Sequence, residues 1–273
     1  MNKCCQEKWS HCELDEMPQR SETPANRLEI YAISGLPEIF SGAPLAELLH
    51  EGAQADGFGL ESGDVLVVAQ KVISKAEGRL IELSRIEPSP FAQSLAQTLG
   101  KDPRQLEMIL RESKRIVRMD AGIIIVETHQ GFICANAGVD TSNVPPGWVS
   151  LLPENPDASA LRLQEEIARR TGNRLAIIVS DTFGRPWREG LTNVAIGVAG
   201  FAPLTDYRGQ TDVHGNRLSA TVIAAADELA AAAELVMGKT SRCPAAVIRH
   251  FAWESAPGHA SDLIRPPEKD LFR

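Results

Sequence analysis

Short apolar runs alternating with amphipathic stretches set the pattern along this chain. Leu28-Glu29-Ile30-Tyr31-Ala32-Ile33 alternates enough for a strand. Asp64-Val65-Leu66-Val67-Val68-Ala69, opened by Gly63, has the continuous apolar run of a strand buried on both faces. Between them an amphipathic stretch predicts a helix from about Pro44 to Ala53, with proline at its permitted first position. Gln70 to Ala76 predicts a helical turn stopped by Gly78, before a strand from Arg79 to Leu83. Pro88 and Pro90 mark a break, and two short helices follow, Phe91 to Leu99 and Pro103 to Arg111. Strands are expected at Arg115 to Arg118, Ile123 to Glu127 and Gly131 to Ala135. Pro145-Pro146 and Pro153-Glu154-Asn155-Pro156 predict a long loop. Asp157 reads as the cap of a helix running to Arg170, with Gly172 as its stop. The rest predicts strands at Leu175 to Val179, Val194 to Ala199 and Ala245 to Arg249, with an Ala-rich helix from Ser219 to Gly238. Many neighbouring strands lack a helix between them, so the expectation is an α+β fold with a mixed sheet rather than a doubly wound one.

Composition narrows the class. With 273 residues, 43% hydrophobic and 23% charged, the chain has what an ordinary globular core needs. A net charge of -8 leaves no wide basic surface for a nucleic-acid backbone, but still permits a small anionic ligand held by a local cation cluster or a metal. Asp227, Glu228 and Glu234 interrupt the least polar stretch, and Glu7, Lys8, Glu13 and Asp15 break any leader core, so neither membrane nor secretory targeting is expected. A cytoplasmic, reduced setting suits the five cysteines. Residues 1–26 read as a disordered extension and 27–273 as one catalytic domain. Within the extension, Cys4, Cys5, His11 and Cys12 lack the two-residue spacers of a zinc site, and a leader with exposed thiols is the favoured reading. Cys134 reads as core packing.

Two Asp-Thr pairs carry the strongest chemical signal. Asp140-Thr141 and Asp181-Thr182 each follow an apolar, strand-like run, where a carboxylate and neighbouring hydroxyls give hard oxygen ligands for Mg²⁺ or Mn²⁺ bearing a phosphate. Either pair alone also reads as a turn cap. Lys71 and Lys75 follow a buried strand and offer point charges to phosphate, unless they are two solvated lysines on a helical turn. Gly184-Arg185-Pro186-Trp187-Arg188-Glu189-Gly190 pairs planar donors with an aromatic face and reads either as an anion clamp or as an ordinary salt-bridged loop. His214 reads as structural or solvated. Met237-Gly238-Lys239-Thr240 lacks the upstream glycine and the strand of a P-loop, and no dinucleotide fingerprint or nucleophile elbow is present.

Taken together, Gly35-Leu36-Pro37, the run Gly63 to Arg79, Ala137-Gly138-Val139-Asp140-Thr141-Ser142-Asn143, the run Ser180 to Arg188 and Asp206-Tyr207-Arg208-Gly209 resemble the coenzyme F420-0:L-glutamate ligase family. The likeness runs in register from about Leu28 to Trp253. It implies an unusual α+β fold forming an intertwined homodimer, and GTP-dependent ligation of L-glutamate to coenzyme F420-0 with further γ-linked additions. Mn²⁺ or Mg²⁺ and K⁺ are the implied ions. By the resemblance, Leu36, Pro37, Glu38, Ile39, Gln70, Lys75 and Asn143 fall on GTP contacts. The stretch Met237, Gly238, Lys239, Thr240, Ser241, Arg242, Cys243 and Pro244 looks like the remaining nucleotide contact. Asp140 and Asp181 fall on one divalent ion and Thr182 on a second, with Asp140, Asp181 and Lys75 as the catalytic set. Lys239 departs from the pattern, standing where relatives can offer Glu or Gln to that second ion. Another group, a backbone carbonyl or a different register would then have to serve. With the sequence running to Arg273, the flavin-binding module fused to some relatives is not expected. The implied mechanism phosphorylates the terminal carboxylate of F420-0 and lets the glutamate amine attack the acyl phosphate. The alternatives are an amide ligase for another phosphorylated acceptor and a non-catalytic nucleotide- or coenzyme-binding protein.

Overall fold

The computed structural model describes residues 27–120 and 122–271. The extension read over residues 1–26, with Cys4, Cys5, His11 and Cys12, lies outside the described residues. The elements follow in chain order: β1 (Glu29–Ile33), α1 (Leu45–Ala55), β2 (Val65–Ala69), α2 (Gln70–Ala76), β3 (Leu80–Glu82), α3 (Pro90–Leu99), α4 (Pro103–Arg111), β4 (Ser113–Asp120) and β5 (Ile123–Thr128). Then come β6 (Ile133–Ala135), β7 (Trp148–Ser150), α5 (Pro156–Thr171), β8 (Ala176–Arg185), β9 (Arg188–Ala199), β10 (Thr205–Asp206), β11 (Val222–Ile223), α6 (Ala225–Met237) and β12 (Ala245–Arg249).

The main sheet has the order β1-β12-β2-β8-β9. Its single parallel pair is β2 with β8, and the other neighbours run antiparallel, so the sheet is mixed as expected. Val65 to Val68 and Ile177 to Val179 are fully buried, which is why both runs read as continuously apolar. α5 lies along β8 and β9, while α6 packs on β1, β12 and β9. Close approach of α5 to β9 depends on Gly197, where a Cβ would stand 2.4 Å from the Pro156 carbonyl. A second cluster, with Leu106, Ile109, Ile124, Val126, Val149 and Leu151, packs α3 and α4 on the small sheet β4-β5-β6.

Four expectations change. Asn155, not Asp157, caps α5, accepting from the Ala158 N–H with Pro156 at the first helical position. Asp157 instead accepts the N–H groups of Val198 and Ala260, pinning β9 and the C-terminal segment to the helix start. β7 forms inside the stretch read as loop, pairing with β3. The long Ala-rich helix begins six residues late, because Val222 and Ile223 pair with Thr205 and Asp206 first. Most consequential, β8 continues through the Gly-Arg-rich segment to Arg185 and turns into β9. Asp181 therefore sits inside a strand rather than at its end.

Candidate functional site

β2 and β8 run parallel, and Ala69 and Ser180 are their last paired residues. Crevices beyond the C-terminal ends of such strands are where loops and helix starts converge. α2 springs directly from β2, with Ala69 as its extended N-cap. Its lysines Lys71 and Lys75, four residues apart, share one helical face. Lys71 donates to the Asp140 carboxylate at 2.5 Å and to the Ser142 hydroxyl. Lys75 pairs with Glu38, from the loop after β1.

The Asp140 turn is built by left-handed backbone at three successive residues, Asn136, Ala137 and Gly138. At Gly138 a Cβ would meet the Leu152 side chain at 2.6 Å, so glycine is needed for space as well as for φ. Asp140 then exchanges both backbone hydrogen bonds with Ser150, which anchors the turn to β7. Its carboxylate accepts the Ser142 N–H and hydroxyl, each at 2.8 Å. Burial alone would raise this acid, but hydrogen bonds from Lys71 and Ser142 outweigh it and hold Asp140 below the usual carboxylate range.

Asp181 is the opposite case. Burial pushes its carboxyl up to about 6, and the Asp140 charge adds to the rise. The Thr182 backbone N–H, Lys71 and Lys239 pull the other way without balancing it. Two unlike carboxylates thus face one lysine, one acid well compensated and one not. Cys134, behind them, is buried; desolvation first and the Asp181 charge second push its thiol up to about 12, which fits core packing and excludes a ready thiolate.

Successive strand residues point to opposite faces, so Thr182 looks away from Asp181, towards α6. Its hydroxyl donates to Asn193 at 2.7 Å, and the Asn193 amide donates to Glu234 at 3.0 Å. Lys239, just past the end of α6, donates to the Thr182 oxygen and lies 3.7 Å from Glu234. The same stretch returns to the β2 end, where the Ala69 N–H donates to the Pro244 carbonyl.

The fold therefore brings together the segments around Glu38, Lys71–Lys75, Asp140, Asp181–Thr182 and Met237–Pro244. It does not present every named side chain. Ile39, Gln70 and Met237 are buried, and Gln70 accepts from Ser74, leaving backbone atoms to meet a ligand there. Leu36 is half-buried, and Pro37 and Asn143 are exposed, Asn143 in a left-handed turn conformation. Thr240, Ser241 and Arg242 are exposed, and Cys243 is partly so. Arg185 bonds the carbonyls of Glu189 and Gly190 across its own turn, so its guanidinium is held by backbone rather than by the acid of a salt-bridged loop. His214 sits in a surface turn held by Asp212. Asn193 and Glu234 went unnoticed in the sequence. The i, i+5 spacing of Glu234 and Lys239 across a helix end was the available signal.

A mixed-sheet α+β scaffold with paired carboxylates and flanking lysines at parallel strand ends defines a class that handles charged small molecules. The description F420-0:Gamma-glutamyl ligase belongs to the family model that matches residues 35–250. A coenzyme F420:L-glutamate ligase of Methanothermobacter thermautotrophicus is 44% identical, over 90% of this chain and 99% of that one. Proteins of the same name from Methanopyrus kandleri and Methanocaldococcus jannaschii are 49% and 44% identical, each over 86% of this chain and over 94% and 93% of their own length. The chain belongs to the F420-0:γ-glutamyl ligase family and is a ligase. That sets aside the non-catalytic binding protein kept as a rival. Among the described residues, no helix is long and apolar enough to cross a membrane.

Proposed function

We propose that this ligase joins L-glutamate to coenzyme F420-0 at the cost of GTP, with further γ-linked additions, as a cytoplasmic homodimer. The observation that carries the reading is the pair Asp140 and Asp181, the first bonded to Lys71 and the second within reach of both charges, in a chain whose relatives bear that ligase name. The donor set fits one divalent ion. Asp181 is a buried carboxylate without adequate positive charge, and Asp140 supplies a second hard oxygen donor beside it. A bound Mg²⁺ or Mn²⁺ would supply charge neutralisation for a transferring phosphoryl group. A second ion at Thr182 does not fit: Asp140 also meets an ammonium but keeps a charged carboxylate with a second oxygen, whereas the single neutral hydroxyl of Thr182 already accepts from Lys239, which has no lone pair to give.

The chain's own residues do the rest by position and charge. Lys71 holds Asp140 in place and restrains its protonation. Lys75, only 11% exposed yet paired with a Glu38 that is 83% exposed, can swing its partner out and turn its charge to phosphate. Leu36 to Ile39, Gln70, Asn143 and Met237 to Pro244 frame the nucleotide. With phosphate neutralised this way, the terminal carboxylate of F420-0 takes the γ-phosphoryl group of GTP, and the glutamate amine displaces phosphate from the acyl phosphate. No covalent nucleophile on the chain is required, in keeping with the inert Cys134.

Trapping tests this directly. With glutamate omitted and hydroxylamine supplied, enzyme, F420-0, GTP and Mn²⁺ should give a coenzyme hydroxamate with GDP and phosphate. GMP and pyrophosphate would overturn the phosphoryl route. Inert F420-0 beside turnover of another phosphorylated acceptor would replace the substrate and keep the mechanism.

A further inference from the structure

The Thr182 hydroxyl is a directed acceptor. Its proton goes to Asn193 Oδ1 at 2.7 Å, and Asn193 is itself fixed by donating to Glu234 Oε2 at 3.0 Å. That relay leaves a Thr182 lone pair aimed at a cation, with the Glu234 carboxylate supplying the balancing charge. The occupant is Lys239. Its ammonium donates to Thr182 Oγ1 and stands 3.7 Å from Glu234 Oε1. Three elements cooperate to put it there. β8 and β9 present Thr182 and Asn193 in register as paired residues, and α6 presents Glu234. Gly238 then ends α6 with φ +60°, so the next residue folds back over the helix end towards the strand. The Ser241 hydroxyl, bonded to the Met237 carbonyl, closes the same turn.

We propose that the Lys239 ammonium is a built-in cation occupying the place beside Thr182 where a second divalent ion would sit, so that this enzyme works with a single divalent ion. The inference rests on the reading that Asp140 and Asp181 hold that single ion. Two arguments support it. An ammonium offers donors only, so Lys239 cannot join a ligand set while it is protonated. A divalent ion next to it would face a like charge in a site where one carboxylate, Glu234, is already matched by one lysine. Uncharged glutamine in its place removes the ammonium and adds a carbonyl oxygen, which recreates an oxygen cage with Thr182 and Glu234.

Electron paramagnetic resonance of Mn²⁺ titrated into the full chain, saturated with an imido analogue of GTP, reads both number and spacing of bound ions. Lys239 is 59% exposed along its side chain, so Lys239→Gln should fold normally. The parent should bind one Mn²⁺ per chain with an uncoupled six-line spectrum. Lys239→Gln should bind two, with the spectrum broadened by coupling between neighbouring ions. Two coupled ions in the parent would overturn the built-in cation while leaving the Asp140–Asp181 ion standing. One ion in both proteins would overturn it too, since the vacated place would then not be a cation site. No bound ion in the parent, or a single Mn²⁺ whose binding Asp181→Asn leaves unchanged, would sink the underlying metal reading instead.

Discussion

At the scale of single residues, the two aspartates differ in a way that only the folded chain creates. Asp140 is compensated by Lys71 and Ser142, whereas Asp181 carries a buried charge that burial itself resists. Replacing either by Asn should cut ligation by more than about 100-fold, since metal-borne stabilisation of a phosphoryl group is worth several kcal/mol. The fold should survive both changes. In chelator at pH 7.5, Asp181→Asn should melt no lower than the parent, because it removes a charge burial disfavours. Retained activity within about tenfold for both variants, a loss of only ~1.4 kcal/mol, would contradict the assignment. Lys75→Ala should weaken GTP binding about tenfold or more and leave glutamate affinity nearly unchanged, as isothermal titration against each ligand would read. Equal losses for both would remove its phosphate role. None of these pairings can be read along the chain. Lys71 and Asp140 lie 69 positions apart, and Thr182 and Lys239 lie 57 apart. Residue types and strand context flagged the aspartates and lysines, but their partners are a product of topology.

At the scale of elements, legibility followed burial. β2 and the first half of β8 were plain because both faces are covered, and β12 was recovered to the residue. The outer half of β8 was missed because Phe183 is its one apolar residue among polar ones and a glycine, so no apolar alternation marks it. β7 was missed because three residues among prolines show no period. Asp157 misled because a carboxylate near a helix start is also useful for tying down other backbone, which is what it does here. Between α3 and α4 the tie is Glu107. It accepts the Ser89 N–H at 3.0 Å and the Arg111 guanidinium at 2.8 Å, and these bonds, Ser89 first, bring its carboxyl down to about 2. A depressed acid contributes its stability fully above its unfolded pKa, and that contribution fades as pH falls through the folded value. Glu107→Gln should therefore lower the melting temperature at pH 7, with the deficit shrinking as pH falls from about 4.5 towards about 2. Thermal unfolding of both proteins across that range checks it. A deficit that stays constant down to about pH 2 would mean that the Glu107 charge is not what joins the two helices.

At the scale of the whole molecule, the β8–β9 hairpin is the feature that asks for a partner. The β2 ladder ends at Ser180, so from Asp181 onward β8 pairs, among the described residues, with β9 alone, and the two strands run on as an arm whose base still meets Phe132, Glu234 and Lys239. Near its tip Leu191 is 68% exposed. Large apolar side chains on a two-stranded arm are poorly placed in a lone chain, because such a ribbon has little stability of its own without a surface to pack on. A second copy offers that surface twice over, since a two-fold contact buries both arms by one set of interactions. The arm also begins at Asp181 and Thr182, so packing at its tip would stiffen the strand that carries the site. Light scattering at micromolar concentration should give twice the chain mass. Leu191→Glu should weaken the dimer at least tenfold, about 1.4 kcal/mol, and lower turnover along with it. A parent that scatters as a monomer would remove the homodimer. A Leu191→Glu protein that stays dimeric with full turnover would move the interface away from the arm and leave the site's rigidity to its own chain.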